Sequence, residues 1–340
     1  MGRDSLDIED ASQFRAYLEA HGIPSGSGVR LSVLRGGVSS RTVLVERPDS
    51  IPWVFKQTLS SLRVPVEWRS SPERAWREAD GARALATLLP PGAVPRITFE
   101  DRPRHIFAMT AVPAAAMNWK ALLLNGEIDP AHFRMCGDLL GTVHRESARR
   151  RNALQTQFGD LTFFESLRLE PYYEYTAHIV HDGAAFLTGI AADARTHKLS
   201  LVHGDFSPKN ILIDGTQMVL LDHEVIHFGD PAFDVGFLLA HFLSKAHHVA
   251  LHRGELLHGA LASFGSYSDA VLSCEWAAAV ESRAVRHALG CLLARAAGRS
   301  TLEYLNDAER SRQIEACVRL VQKPPDTMEE LASVFVQEIA

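Results

Sequence analysis

The sequence predicts an α+β protein in two parts: an N-terminal five-stranded antiparallel sheet with a helix, followed by a C-terminal, mainly helical part. Short runs of β-branched and aromatic residues, separated by Gly and Pro, fill the first third of the chain. Long segments with helical periodicity fill the rest. With 340 residues, 46% of them hydrophobic and 22% charged, the chain can bury a large core and has the composition of a globular protein.

The first third begins with a helix and continues with strands. Residues 5–22 carry apolar side chains at helical spacing and end at Gly22, which predicts a short helix. A second helix is expected after Ser71-Pro72, because Pro is favoured in the first helical turn. We expect this part to span residues 1–112 and to bind the nucleotide if the chemistry below holds. Its five strands are expected at residues 29–34, 42–46, 53–57, 95–99 and 105–109.

Residues 113–340 are expected to form the second, mainly helical part, which would carry the catalytic and substrate-binding groups. Apolar periodicity predicts long helices at residues 132–149, 171–181, 231–247 and 273–297. Compact apolar runs predict short strands that hold loops at residues 199–203, 211–213 and 218–221.

The charge pattern and the cysteine content exclude several classes of function. The net charge of −6 gives no basic field, so neither nucleic acid nor an anionic membrane is expected as a partner. The four cysteines form no CxxC pair, which argues against a disulfide framework and against a thiolate metal site. The polar N-terminus lacks the apolar stretch of a signal peptide, so we expect a cytoplasmic protein. The oligomeric state stays open.

Polar side chains that can carry chemistry are densest between residues 201 and 224. Asp205 and Asn210 follow one apolar run, and Asp222 and Glu224 follow the next. In phosphoryl transfer, one carboxylate orients the attacking hydroxyl while an amide and further carboxylates hold Mg²⁺ against the phosphates. The pattern therefore predicts Asp205 as the catalytic base. It predicts Asn210 and Asp222 as Mg²⁺ ligands, with Glu224 reaching a second Mg²⁺.

Three motifs in this order resemble the aminoglycoside phosphotransferase and choline kinase superfamily: His203-Gly-Asp205-x4-Asn210, Asp222-x-Glu224 and Gly229-Asp-Pro-x2-Asp234. The resemblance implies a bilobal protein-kinase-like fold and a small-molecule kinase that uses ATP and Mg²⁺. Its partners would be the nucleotide and a small molecule that accepts the phosphoryl group on a hydroxyl. The resemblance also implies that Asp234 hydrogen-bonds the backbone of the catalytic loop and does not touch the substrate.

The resemblance assigns further residues to the nucleotide. The segment 35–41, between the first two strands, has the glycines and small side chains that let backbone donors approach phosphate oxygens. Lys56 ends a strand, as the phosphate-binding lysine does in kinases. The loop residues expected to contact the nucleotide are Gly36, Gly37, Ser39 and Ser40.

A kinase lysine needs a carboxylate from the following helix to fix its ammonium group. Glu78 lies in the middle of that helix and is favoured over Glu73, whose place in the first turn suits the helix dipole. Met109 and Ala111 fall where this fold joins its lobes, so the resemblance implies that their backbone contacts adenine.

The acceptor stays open between two kinds of small molecule. Residues 55–78 are similar to the small lobe of methylthioribose kinases, which favours a sugar or nucleoside hydroxyl. The catalytic segment more closely resembles general aminoglycoside-phosphotransferase-like members. A polycationic antibiotic would need several carboxylates that converge on it. The candidates are Glu165, Glu170, Glu174, Asp182, Glu275 and Glu281, for which solvated helix faces are the simpler interpretation.

A second hypothesis, from another class of function, is a kinase-like protein that binds nucleotide without turnover. Proteins of that kind typically lose the base, the lysine or a metal ligand. Lys56, Asp205, Asn210 and Asp222 are all present, which argues against this hypothesis.

Overall fold

The computed structural model describes residues 6–35, 37–64 and 68–339. An antiparallel sheet of five strands lies in the first third, in the order β1-β2-β3-β5-β4. The predicted α+β class, with its five-stranded antiparallel sheet and helical C-terminal part, is confirmed. The strands are β1 (Arg30–Val33), β2 (Ser40–Glu46), β3 (Trp53–Thr58), β4 (Ile97–Asp101) and β5 (Ile106–Thr110).

One helix covers each face of this sheet. On one face, α1 (Ala11–Ala20) packs Phe14 against Phe55 with ring centroids 5.2 Å apart. On the other face, α2 (Arg74–Ala86) buries a small apolar cluster with Phe107. Because side chains alternate along a strand, Phe55 points into the α1 core while Lys56 points to the α2 side.

The predicted N-terminal helix over 5–22 is present but shorter. It begins at Ala11 because the Asp10 carboxylate accepts hydrogen bonds from the backbone N–H groups of Ser12 and Gln13, as an N-cap residue does. It ends at Ala20, just before Gly22, which has a φ of +67°.

The C-terminal part is a bundle in which α4 packs along α10 and α9 packs along α11. The predicted helix at 171–181 belongs to a longer helical segment that starts at Thr162 and widens into a π-helix over Glu165–Glu174. Pro171 lies in this wide stretch and has no N–H to donate, which an α-helical turn would require. The helices are α3 (Trp119–Leu124), α4 (Pro130–Arg149), α5 (Arg151–Phe158), α6 (Thr162–Phe164), α7 (Tyr175–Ile179), α8 (Ala184–Thr196), α9 (Pro231–His248), α10 (Arg253–Val271), α11 (Ala277–Ala297), α12 (Asp307–Gln322) and α13 (Met328–Ile339).

Short strands carry the catalytic segment between the sheet and the bundle. The hairpin of β8 (Ile211–Asp214) and β9 (Gln217–Leu220) pairs with β6 (Met117–Asn118), and β7 (Ser200–Val202) pairs with β10 (His227–Gly229). Among the described residues, no helix combines the length and the apolar character needed to cross a membrane. The division into residues 1–112 and 113–340 stays a prediction.

Candidate active site

Lys56 joins the two parts of the chain through a pair of carboxylates. Its Nζ lies 2.6 Å from Oε1 of Glu78, on α2, and 2.9 Å from Oδ1 of Asp222, just after β9. Glu73, the alternative partner, instead contacts His105 at 2.9 Å. Asp222 has a φ of +67°, in the left-handed region that residues other than Gly seldom adopt. Such a conformation is typical of functional sites, where surrounding contacts hold the strained residue in place.

Three carboxylates lie around the single ammonium group of Lys56. Single ligand atoms of Glu78, Asp222 and Glu224 all lie within 4.8 Å of one another, and we call these three residues the acidic cluster. Burial raises the pKa of Glu78 to about 8; Lys56 opposes this shift, whereas Asp222 and Glu224 add to it. Burial alone would lower the pKa of Lys56, but Asp222 and Glu78 outweigh it and raise that pKa. The buried site therefore holds a surplus of negative charge.

Arg74 fixes the third carboxylate and was missed by sequence reasoning. This guanidinium is fully buried, and its Nε donates to Oε2 of Glu224 at 3.0 Å. Its Nη1 donates to the carbonyls of Ser70 and Ser71, and its Nη2 donates to those of Ser39 and Leu59. All five N–H groups of the guanidinium thus have an acceptor. Arg74 ties Glu224 to the loop that precedes β2.

The segment that carries Asp205 is held by Asp234. The Asp234 carboxylate accepts hydrogen bonds from the backbone N–H groups of His203 (2.6 Å) and Gly204 (2.9 Å), as the sequence predicted. Gly204 has a φ of +78°, and a Cβ there would lie 2.6 Å from the Val225 side chain. Only Gly fits this turn, which brings Asp205 out of β7 at the edge of the cleft.

Two side chains bind the Asp205 carboxylate, one on each oxygen. Nη2 of Arg168 lies 2.8 Å from Oδ1, and Nδ2 of Asn210 donates to Oδ2 at 2.7 Å. Burial alone would lower the pKa of Arg168, but Asp205, together with smaller contributions from Tyr172, Glu224 and Asp222, raises that pKa overall. Sequence reasoning missed Arg168, which lies in the π-helical segment and in no motif. The two contacts fix the orientation of the carboxylate.

A cleft of about 590 Å³ opens between the sheet and the β8–β9 hairpin. Leu44 and Val54 line its sheet side, and Leu212 and Leu221 line its opposite side, so a flat apolar ring fits between them. Met109 and Ala111 both line this cleft. The N–H of Ala111 donates to the Pro52 carbonyl at 2.8 Å, so a ligand would have to contact the Ala111 carbonyl oxygen instead of this N–H.

A second cavity, of about 120 Å³, continues from this cleft toward the helical bundle. Gly37, Ser39 and Ser40 line it, whereas Gly36 lies outside the described residues. The Ser40 hydroxyl is buried and has no hydrogen-bond partner among the described residues. A donor left in this state marks a place where a ligand oxygen would be bound.

The donor set of the acidic cluster fits Mg²⁺. Carboxylate and amide oxygens are the ligands that this hard cation prefers. Asp222 and Glu224 offer carboxylate oxygens, and Asn210, whose Nδ2 is bonded to Asp205, offers its amide Oδ1. A divalent cation would also neutralise the surplus of negative charge. The structure thus brings the three sequence-predicted metal ligands to one region and adds Glu78 beside them.

Comparison with known proteins decides the family. The sequence model of the APH family, described as the phosphotransferase enzyme family, matches residues 30–268. The chain belongs to this family. As an APH member it is a small-molecule kinase, which confirms the superfamily that the motifs indicated. No curated protein matches the chain in sequence.

Solved structures of APH-like fold align over nearly the whole chain. A choline/ethanolamine kinase family protein from Mesorhizobium loti is 16% identical with a TM-score of 0.54, covering 96% of this chain and 99% of that one. The amicoumacin kinase hAmiN is 14% identical with a TM-score of 0.56, covering 89% and 91%. A choline kinase from Cryptosporidium parvum Iowa II is 10% identical with a TM-score of 0.56, covering 96% and 100%. These likenesses establish the bilobal kinase-like fold.

Proposed function

We propose that this APH-family protein transfers the γ-phosphoryl group of ATP to a hydroxyl of a small molecule, with Mg²⁺. One observation carries the proposal: the 590 Å³ cleft and the 120 Å³ cavity share Lys56, Lys209 and Asp222 in their walls. Asp205 lines the smaller cavity only. The larger cleft would hold the nucleotide, and the smaller cavity would hold the hydroxyl beside the carboxylate that accepts its proton.

The nucleotide would lie with adenine between the apolar walls of the cleft and beside Met109 and the Ala111 carbonyl. Its phosphates would extend toward Lys56, under the loop that contains Gly37, Ser39 and Ser40. Support for ATP and a divalent cation comes from hAmiN, which was solved with AMP-PNP and Ca²⁺. Glu78 would keep the Lys56 ammonium in place over the phosphates.

In the transfer step, the acceptor oxygen forms a bond to the γ-phosphorus while the bond from that phosphorus to the β–γ bridging oxygen breaks, and ADP leaves. Asp205 orients the hydroxyl and takes its proton. Arg168 and Asn210 keep the Asp205 carboxylate fixed, so that little reorganisation is needed. Asn210, Asp222 and Glu224 would hold Mg²⁺, which supplies positive charge to the phosphate oxygens when bound.

The test is an ADP-release assay with ATP and Mg²⁺ over a panel of sugars, nucleosides, methylthioribose, choline-like amines and aminoglycosides. We expect at least one acceptor to stimulate release in the wild type. Asp205→Asn should lower that release by roughly 10²- to 10⁴-fold, the range for loss of a general base, while leaving nucleotide affinity unchanged. The matched control is Asp193→Asn, which changes an exposed carboxylate on α8 and should leave the rate unchanged.

Equal rates in the wild type and Asp205→Asn would remove the assigned base. If no acceptor stimulates release while Mg²⁺ and ATP still raise Tm, phosphoryl transfer to this panel is wrong and nucleotide binding without transfer becomes the better description.

A further inference from the structure

The wall of the smaller cavity that faces the helical bundle carries cationic and hydrogen-bond-donating groups. His241 of α9 and Arg295 of α11 both line the cavity. His241 is 5% exposed, and its Nε2 is buried without a hydrogen-bond partner among the described residues. The Nε of Arg295 is in the same state. Two polar groups at this wall therefore lack the partner that burial normally requires.

More positive charge lies directly behind this wall. Lys245, one helical turn after His241, is 1% exposed, and its Nζ donates to the His241 carbonyl at 3.3 Å. Burial lowers the pKa of Lys245 to about 7, with Lys120 and Arg295 adding to the shift and Glu303 opposing it. We call His241, Lys245 and Arg295 the basic wall. Positive charges that depress one another's protonation attract a bound anion.

The carboxylates that line the same cavity do not offset this charge. Among the described residues they are Asp205, Asp222 and Glu224. Each already contacts a cation, respectively Arg168, Lys56 and Arg74, and Asp222 shares Lys56 with Glu78.

The six acidic candidates for a polycationic acceptor lie elsewhere. Glu165 and Glu174 pair with Arg195, and Glu170 pairs with Arg299. Glu281 accepts a hydrogen bond from the backbone N–H of Met328. Among the described residues, none of the six lines either cavity, so none is placed to pair with a ligand there. A polycationic ligand would meet the basic wall without free carboxylates to pair with.

We propose that the acceptor carries an anionic group, a carboxylate or a phosphate, which the basic wall binds through Arg295 and His241 while the acceptor's hydroxyl lies at Asp205. This inference rests on the proposed function. Tyr172 and Trp68 line the cavity between these ends and would contact the carbon skeleton. The volume of about 120 Å³ is below the roughly 300–1,000 Å³ of pockets for drug-sized ligands, which indicates a small acceptor.

The experiment measures binding to the full-length protein by calorimetry in the presence of Mg²⁺ and AMP-PNP, so that no turnover is needed. The ligands are matched series that share a carbon skeleton: glycerol, glycerate and glycerol 3-phosphate, and ribose, ribonate and ribose 5-phosphate. Choline and an aminoglycoside represent cationic acceptors, and inorganic phosphate probes the anion site alone. We expect an anionic member to bind about tenfold or more tightly than its neutral counterpart.

Arg295→Gln should reduce this preference to about threefold or less and leave the affinity for Mg²⁺ and AMP-PNP unchanged. Arg295→Lys keeps the charge and should retain part of the preference. The matched control is Arg286→Gln, on the same helix but stacked over Phe186 and outside the cavity. It should behave as the wild type.

The proposal is overturned if neutral or cationic ligands bind as tightly as the anionic ones, if no anionic probe binds at millimolar concentration, or if Arg295→Gln leaves the preference intact. The wild-type comparison decides the matter even if the variant is unstable. Because binding is measured without transfer, anion recognition can succeed where the ADP-release assay fails, and the reverse also holds.

Discussion

The acidic cluster and the basic wall are two parts of one site and consist of side chains of opposite charge type. In the acidic cluster, three carboxylates surround Lys56, and burial with mutual repulsion raises the pKa of Glu78 to about 8. In the basic wall, burial beside other cations lowers the pKa of Lys245 to about 7. Each shift favours the neutral form of its group, because neither end contains enough counter-charge of its own.

The difference between the two ends indicates what each would bind. A surplus of carboxylate oxygens suits a divalent cation. A surplus of guanidinium, imidazole and ammonium groups suits an anionic substituent. Under both proposals the site would divide its ligands by charge, with the metal and phosphates beside the acidic cluster and the anionic group of the acceptor beside the basic wall. Substitutions at the two ends should have effects of opposite sign.

The largest effect is expected at the acidic cluster. Asp222→Asn removes a proposed Mg²⁺ ligand and a partner of Lys56, so turnover should fall by roughly 10²–10³-fold or more, the loss seen when a preorganised electrostatic group is removed from a catalytic site. Nucleotide affinity should also lose its dependence on Mg²⁺, as measured by titration with and without the metal. Asp214→Asn, at the far end of the same hairpin, is the control. A variant that keeps the Mg²⁺ dependence of the wild type would show that Asp222 holds no metal.

The second effect concerns the cation that holds the acidic cluster in place. Arg74→Met leaves Glu224 and four carbonyl groups without their donor, so the free energy of unfolding should fall by about 3–5 kcal/mol. The measurement is denaturant unfolding without ligands. Arg83→Met, on the same helix, removes only the half-exposed pairs with Asp80 and Glu100 and should cost less than about 1 kcal/mol. Equal losses in the two variants would contradict the role assigned to Arg74.

The smallest effect is expected at the basic wall and has the opposite sign. Lys245→Met replaces a buried cation by an apolar side chain and should raise the free energy of unfolding at pH 7 by about 1 kcal/mol or more. The native lysine has a pKa of about 7 against an ordinary value of 10.5, so the unfolded wild type binds more protons between these values. Wild-type stability from this group therefore rises with pH.

The advantage of Lys245→Met should accordingly shrink between pH 7 and pH 10, in parallel denaturation series. The exposed Lys323→Met serves as the control and should show no such trend. A constant difference across this range would mean that Lys245 is not held below its ordinary pKa.

The sequence was sufficient for the sheet and for much of the catalytic segment. Alternation in β3 places Phe55 and Lys56 on opposite faces, and the turn at Gly204 needs a residue that tolerates positive φ. Glu78 could be chosen over Glu73 because it lies in the middle of the helix, whereas Glu73 lies at the N-cap, just before α2. Each of these features depends on residues that are close together in the sequence, so a local sequence pattern can predict it.

The rest depends on contacts between distant segments. Arg168 reaches Asp205 from the π-helical stretch over Glu165–Glu174, and no local sequence pattern reports which face of such a helix a side chain lies on. The basic wall combines α9 with α11, whose relative placement is set by packing. Only a weak indication of the basic wall is present in the sequence. His241, Lys245 and His247 recur on α9, and no carboxylate lies among these positions to pair with them.

The five hydrogen bonds of Arg74 restrict what evolution can do at this position. Lysine has three donors and glutamine two, so neither could supply all five of these hydrogen bonds. Four of those acceptors are backbone carbonyls, which no mutation can remove. We therefore expect Arg74 and the course of the backbone near Ser39 and Ser70 to change together, because one guanidinium bonds both segments at once.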